Sequence, residues 1–277
     1  MTRTRDQVTT GVGTLHVEVD GDGPPAVLWH SLFVDSTSWC RLRPLLQSDR
    51  TLISIDGPGH GQSGTPPADL SFDAVPDAAL EVLDALGVDG PVDWVGNAWG
   101  GHVGLMLAAR SPQRVRSLVT IGTPAHALTR GDRAKIVPMV WAYRGVGAIP
   151  LLVNGVAKTL LGPDFIRSRP DDTEFVMRAL RNAPRTGMYR AMRAVMLNRP
   201  DITDVLPTID VPTLVLAARS DPMLTAEQAR TAAARMPHAA YAELGADGHI
   251  APILAAADEL ADIIREFWKD PSARVER

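Results

Sequence analysis

The fold is decided by one stretch of sequence, VDWVGNAWGGHVG, which covers residues 92–104. It predicts a short apolar strand, a tight turn flanked by glycines, and the first turns of a helix. Gly96 and Gly100 have the spacing of G-x-S-x-G, in which a strained strand-to-helix turn lifts one side chain above a sheet. Glycine suits both positions because a Cβ would crowd the turn. The middle position should be Ser, Cys or Asp, but it is Ala98, which has no nucleophilic atom.

Strand and helix patterns alternate on both sides of this turn. Short strands are predicted at residues 26–30, 51–55, 115–121, 213–217 and 239–244, and the first two of them are expected to be buried. A hairpin over residues 7–20 is predicted to open the chain, and a helix over about residues 252–269 to close it. Such alternation is typical of a parallel sheet with helices packed on its faces. The sequence therefore predicts an α/β fold with a doubly wound, mostly parallel sheet.

The alternation stops between residues 124 and 207. This segment shows no strand pattern, only helical stretches interrupted by proline, and it holds five of the nine methionines. It carries 13 Arg and Lys against 7 Asp and Glu, although the whole chain has a net charge of −4. We expect a core of residues 1–123 and 208–277, with residues 124–207 inserted as a helical cap. The arginines are expected to solvate the outer face of the cap, the alternative being attraction of an anionic substrate.

Composition excludes several classes of protein. A chain of 277 residues with 45% hydrophobic and 22% charged residues is an ordinary globular protein, and it is not basic enough to suggest nucleic-acid binding. No apolar stretch is long enough to span a membrane, and residues 1–10 lack the apolar core of a signal peptide. The single cysteine, Cys40, cannot form an internal disulfide and fits a reducing compartment. We therefore expect a cytoplasmic protein without nucleic-acid or membrane partners, and leave open a homodimer.

Two loops beyond the turn carry the other residues that acyl transfer needs, a histidine to move a proton and an acid to orient it. Asp221 follows the strand at residues 213–217, and His249 follows the strand at residues 239–244, so both should lie at the carboxyl edge of the sheet. Taken singly, each residue is more often structural, and Asp247 is a rival acid. Their order after the glycine turn favours a His249–Asp221 pair at one site.

Stabilisation of a developing oxyanion needs two backbone N–H groups. One is expected from Trp99, at the start of the helix that follows the turn. The other is expected from Leu32, in the loop after the strand at residues 26–30. Backbone groups do not depend on side-chain identity, so this oxyanion hole can survive the loss of a nucleophile. The neighbouring histidines His60, His102 and His126 are interpreted as structural or rim residues.

Together these motifs resemble those of the α/β-hydrolase superfamily, in particular its capped lactonases, esterases, epoxide hydrolases and C–C bond hydrolases. The matching pieces are residues 30–33, residues 56–63, residues 96–101, Asp221 and residues 248–249. The resemblance implies an α/β-hydrolase fold with a cap and a Ser-His-Asp mechanism without metal or cofactor. Position 98 is then the nucleophile site, His249 the general base and acid, and Asp221 its orienting partner. Two residues depart from the family pattern, Ser31 in place of glycine and Ala98 in place of serine.

Ala98 leaves three interpretations open. The first, which we favour, is an engineered Ser→Ala change that holds substrate without turning it over, because every other catalytic element is present. The second is a native enzyme that uses the His249–Asp221 pair as a base. Ser31 then either offers a hydroxyl from the same pocket or simply replaces a glycine in a turn. The third is a ligand-binding or sensor protein, against which the retention of Asp221 and His249 counts.

The predicted substrate is a small hydrophobic carboxylic ester or lactone. The side chains expected to contact it are Ser31, Phe33, Trp141, Tyr143, Met188 and Met192. Methionine and aromatic side chains in a cap can line an adaptable apolar pocket. The alternative is that the cap residues among them only pack the cap helices together.

Overall fold

Eight strands form the central sheet, and most of them run parallel. The computed structural model describes residues 4–271. The strands are β1 (Thr4–Thr10), β2 (Gly13–Gly21), β3 (Pro25–Trp29), β4 (Thr51–Ile55), β5 (Val92–Asn97), β6 (Val115–Ile121), β7 (Thr213–Ser220) and β8 (Ala239–Asp247). Their order is β1-β2-β4-β3-β5-β6-β7-β8. Only the β1–β2 and β2–β4 pairs are antiparallel. The predicted fold class is therefore confirmed.

The central strands are buried on both faces, as a parallel strand between two helical layers must be. All six residues of β5 are buried, and β3 and β4 are partly exposed only at their first residue. One of the buried residues of β5, Asp93, is charged. Arg50 Nε and Arg116 Nη2 donate to its Oδ2 at 2.7 and 2.6 Å. These contacts compensate a carboxylate that would otherwise be costly to bury.

The sheet is accompanied by eleven α-helices within the described residues. These are α1 (Arg43–Leu46), α2 (Ala74–Ala85), α3 (Trp99–Arg110), α4 (Arg130–Val146), α5 (Pro150–Leu161), α6 (Pro163–Ser168), α7 (Pro170–Asn182), α8 (Arg185–Ala191), α9 (Ala226–Ala234), α10 (Pro252–Ala255) and α11 (Ala257–Lys269). The prediction of one continuous helix over residues 252–269 is wrong. Ala256 adopts φ −120°, outside the helical range, and separates α10 from α11.

Helices α4 to α8 fill the connection between the neighbouring strands β6 and β7. Residues 122–212 are all described and contain helices and turns without a strand. A π-helical turn, Met192–Leu197, follows directly on α8. The predicted cap thus corresponds to a helical segment inserted between two neighbouring strands, β6 and β7. Its limits at residues 124 and 207 stay a prediction. Of the predicted core, residues 1–3 and 272–277 lie outside the described residues.

Residues 4–271 contain neither a membrane-spanning helix nor a cluster of metal ligands. No helix there is both long and apolar enough to cross a membrane. No three His, Cys, Asp or Glu side chains in the same range are grouped so that they could hold a metal ion.

Candidate active site

The strand-to-helix turn at Ala98 has the strained geometry that its glycines predict. Ala98 lies between β5 and α3 with φ 49° and ψ −106°, and only one other non-glycine residue in the described chain, Phe33, has a positive φ. A Cβ on Gly96 would lie 2.2 Å from the carbonyl carbon of Gly100. A Cβ on Gly100 would lie 2.0 Å from the carbonyl oxygen of Trp29 in β3. The turn therefore needs glycine on both sides of Ala98.

The side chains of Asp221 and His249 are in direct contact. The loop after β7 supplies Asp221, and the loop after β8 supplies His249. The Nδ1 atom of His249 lies 2.9 Å from Oδ2 and 3.1 Å from Oδ1 of Asp221, whose side chain is fully buried. Because Nδ1–H donates to the carboxylate, Nε2 keeps its lone pair and can accept a proton. The rival acid, Asp247, is exposed and pairs with Arg219.

The His249 loop is held by both the core and the cap. The N–H groups of His249 and Ile250 donate to the Leu160 carbonyl of α5 at 2.8 and 2.9 Å. Gly122, at the end of β6, packs so closely that an added Cβ would lie 3.2 Å from Asp221 Oδ2. The position of His249 is therefore fixed by Asp221 and by the Leu160 carbonyl, with no room for a larger residue at Gly122.

The predicted oxyanion-hole residues, Trp99 and Leu32, come from two different elements. Trp99 is the first residue of α3, where backbone N–H groups have no intrahelical acceptor. Leu32 lies in the loop after β3. The ring of His30 holds this loop through two hydrogen bonds. The Nδ1–H of His30 donates to the Ser31 carbonyl at 2.6 Å, and its Nε2 accepts from the Gly57 N–H at 2.8 Å. Both ring nitrogens are thus used to position this loop.

One cavity of about 290 Å³ joins these groups. Ala98, Trp99, Leu32 and His249 all line it. Its remaining walls are chiefly apolar and come from the cap and the loop after β3, in particular from Phe33, Ile136, Met139, Leu151, Leu152, Val156, Leu160, Val195 and Met196. The predicted catalytic position, base and oxyanion donors therefore face a shared space suited to a small apolar ligand.

The six predicted substrate contacts divide into two groups. Ser31 and Phe33 line the cavity, as expected. The other four, Trp141, Tyr143, Met188 and Met192, do not line it, so their assignment as substrate contacts is corrected. Trp141 is 56% exposed and lies beside Tyr189 on the outside of the cap. Tyr143, Met188 and Met192 are buried in the packing between cap helices, which was the alternative that their composition left open.

Sequence reasoning missed several residues of the cavity. Ile136 and Met139 on α4, and Leu152, Val156 and Leu160 on α5, recur at helical spacing and so carried a usable signal. Two cations, Lys135 and Arg199, also line the cavity. Nothing in their local sequence separates them from the other basic residues of the cap.

Two buried histidines near the site, His60 and His102, are held neutral. His102, one turn beyond Ala98, donates from Nε2 to the Pro124 carbonyl, while its buried Nδ1 has no hydrogen-bond partner. Burial, assisted by the charge of Arg199, keeps the pKa of His102 well below its usual value. Burial also holds the pKa of His60 well below that value. Both side chains therefore stay neutral in the folded state, and we interpret them as structural residues.

These lowered pKa values predict a loss of stability in mild acid. The unfolded chain takes up protons on these histidines as the pH falls below 6.5, but the folded chain does not, so the free energy of unfolding decreases. Each such histidine contributes a slope that approaches about 1.4 kcal/mol per pH unit only well below pH 6.5. Urea unfolding between pH 7.5 and 5.5 should show a shallower slope in His60→Leu than in the parent. An equal slope in the parent and in His60→Leu would contradict the prediction.

The chain is also similar to known proteins over nearly its whole length. The family model for the alpha/beta hydrolase fold matches residues 24–256. The pimeloyl-[acyl-carrier protein] methyl ester esterase of Xanthomonas campestris pv. campestris (strain B100) is 29% identical over 259 residues, covering 91% of this chain and 98% of that protein. A thermophilic esterase from Thermogutta terrifontis superposes with a TM-score of 0.88 at 25% identity, covering 98% of this chain and 100% of that one. The enol-lactonase from Burkholderia xenovorans LB400 shares the fold, with a TM-score of 0.87 at 23% identity, over 96% of this chain and 100% of that one. The chain belongs to the α/β-hydrolase fold family.

Proposed function

We propose that the cavity is the active site of a hydrolase for small hydrophobic carboxylic esters or lactones. The observation that carries this proposal is the contact of His249 Nδ1 with the fully buried Asp221 carboxylate, beside the cavity that Ala98 lines. A buried carboxylate is costly to desolvate, and a pocket that only binds a ligand has no need of it. The similarity to a methyl ester esterase supports esters as the substrate class.

In this proposal the substrate carbonyl lies above Ala98. The N–H groups of Leu32 and Trp99 stabilise the oxyanion that forms when the carbonyl carbon is attacked. His249 Nε2 accepts the proton of the attacking oxygen and then donates it to the leaving alcohol as the C–O bond breaks. Asp221 keeps Nδ1 protonated and the ring in place throughout.

Position 98 is the proposed nucleophile site, with Ala98 in the place of a serine. The turn supports this, because it holds an alanine that lines the cavity at φ 49°, a conformation that costs about 1–3 kcal/mol. With alanine, no acyl-enzyme can form at this position. The chain then binds an ester between the oxyanion donors and His249, and His249 activates a water molecule in place of the missing serine hydroxyl.

Ser31 gives a second candidate mechanism. It lines the cavity and is 2% exposed, next to the proposed oxyanion donor Leu32. A hydroxyl there could replace the one that position 98 lacks, with His249 still acting as the base.

A panel of p-nitrophenyl esters and γ- and δ-lactones tests the proposal. The parent should bind panel members and hydrolyse them slowly through water, and His249→Ala should lower that slow rate by about 10²-fold. Ser31→Ala should leave the rate unchanged; a comparable loss in this variant would instead identify Ser31 as the attacking group. If members bind but neither the parent nor Ala98→Ser hydrolyses any of them, the chain is a ligand-binding protein.

A further inference from the structure

We propose that Arg199, assisted by Lys135, forms a carboxylate-binding subsite in the cavity, so that the substrate is an ester or lactone that also carries an anionic group. The inference rests on the proposed hydrolase function and narrows the substrate class of the same site. It starts from two cations that line the cavity together with Ala98 and His249.

The guanidinium of Arg199 lacks an acidic partner. Its Nη2 donates to the His126 carbonyl at 2.6 Å, and its buried Nε has no hydrogen-bond partner. Over residues 4–271 no carboxylate forms an ion pair with Arg199. Other cap arginines differ in this respect: Arg167 pairs with an aspartate and Arg181 with a glutamate on the outer surface.

The two acidic residues whose charges act on Arg199, Asp201 and Asp132, make their hydrogen bonds to other groups. Asp201 accepts hydrogen bonds from the hydroxyl and the N–H of Thr203, and Asp132 accepts from the Thr129 hydroxyl. Their charges oppose the effect of burial on Arg199, yet burial still lowers the pKa of Arg199 to about 10. The guanidinium is therefore charged, poorly hydrated and incompletely paired.

A carboxylate on the ligand would supply the missing partner. A planar guanidinium can bind a carboxylate through two parallel hydrogen bonds, and such charge-assisted bonds strengthen where water is excluded. Binding an anion would thus relieve the cost of burying Arg199 without an acid. A neutral ester that fills the same space would leave that cost in place.

The sign of charge along the cavity agrees with an anionic ligand. Lys135 lies on α4 beside the lining residue Ile136, and no Asp or Glu occurs among the described residues that line the cavity. Lys135 and Arg199 also line an adjoining surface pocket of about 250 Å³, which contains Asp132. The two cations therefore stand on the wall between this surface pocket and the reaction site, where they can attract an anion inward.

Methyl half-esters of straight-chain C4 to C7 dicarboxylic acids test the subsite against the matching dimethyl esters. Each pair has the same reacting carbonyl and differs only in the charge of the remote end. Calorimetry can measure binding of these esters to the parent, because hydrolysis is slow when no acyl-enzyme can form at Ala98. We expect one chain length to bind at least about 10-fold more tightly as the half-ester than as the diester.

Three variants locate the preference. Arg199→Gln should reduce the preference for the half-ester by about 10- to 100-fold, and Arg199→Lys, which keeps the charge, should retain part of it. Lys135→Gln, at an exposed side chain, should reduce it less. Arg193→Gln is the matched control, because Arg193 lies against Tyr189 outside the cavity and should leave the preference unchanged.

The outcomes separate this inference from the proposed hydrolase function. Equal binding of half-esters and diesters by the parent, or equal losses in Arg199→Gln and Arg193→Gln, would overturn the subsite. If Arg199→Gln fails to fold, the other variants decide. A preference for half-esters that Arg199→Lys and Lys135→Gln each weaken in part, and that Arg193→Gln leaves unchanged, would support the subsite. Selective binding without hydrolysis by Ala98→Ser would instead overturn the hydrolase and keep the subsite.

Discussion

Ala98→Ser is expected to raise kcat/KM for ester or lactone hydrolysis by about 10³-fold or more, because a catalytic serine and its histidine act as a unit whose loss is of that order. The turn already holds position 98 at φ 49°, and His249, the proposed base, already contacts the buried Asp221 carboxylate. The added hydroxyl therefore enters a site in which the other groups are in place. The gain should appear chiefly in kcat, because the serine acts on the transition state rather than on substrate binding.

The matched control is Ala98→Ser combined with His249→Ala. This double variant should return to within about 10-fold of the His249→Ala rate, since a serine without its base gains little. Trapping with a phosphonate ester gives a second measurement: Ala98→Ser should gain a covalent adduct that the parent does not form. A parent that already hydrolyses its substrates at the rate of Ala98→Ser would show that the serine mechanism is wrong.

Gly100→Ala is expected to lower the free energy of unfolding by about 3 kcal/mol or more, or to prevent folding. The added Cβ would lie 2.0 Å from the Trp29 carbonyl oxygen and 2.6 Å from the carbonyl carbon. Both are backbone atoms of β3, which pairs with β4 on one side and β5 on the other, so they cannot move away cheaply. Overlap with the sheet outweighs the usual preference of a helix for alanine.

Gly145→Ala provides the opposite case within another helix. No atom lies within 4 Å of the Cβ that alanine would add to Gly145 in α4. This variant should be more stable than the parent by about 0.5–1 kcal/mol, because alanine loses less backbone entropy in a helix than glycine. Urea unfolding of both variants measures the contrast. Similar free energies of unfolding for Gly100→Ala and Gly145→Ala would mean that the contact with Trp29 does not decide whether alanine stabilises or destabilises the helix.

The core and the positions of the candidate site residues in the fold could be predicted because their signals are local. The glycines around Ala98 are required by one turn, and Asp221 and His249 each follow a strand at the carboxyl edge of the sheet. The break at Ala256 could not be predicted in this way. Alanine is a strong helix former, so nothing in the adjacent sequence indicates that α10 and α11 are separate helices.

The walls of the cavity were harder to predict because they depend on how the cap helices pack. Met139 and Trp141 are two residues apart on α4, yet Met139 lines the cavity and Trp141 is exposed. Residues two apart on a helix face different directions, and only tertiary contacts decide which direction is inward. The charge count of the cap had the same weakness. An excess of arginine is usual on a solvated surface, and the count cannot distinguish Arg199 from its exposed neighbours.

The π-helical turn Met192–Leu197 places side chains of the cavity wall in a segment that can lose one residue without displacing its neighbours. Val195 and Met196 within this turn, and Arg199 just after it, all line the cavity. A π-helical turn accommodates about one residue more than an α-helical turn, so deletion of one residue within it would leave an α-helical turn with the flanking segments near their present positions. Side chains inside the shortened turn would change direction, whereas Arg199 would stay at the cavity. We therefore expect a one-residue deletion in this turn to reshape the apolar wall of the cavity while keeping its positive charge.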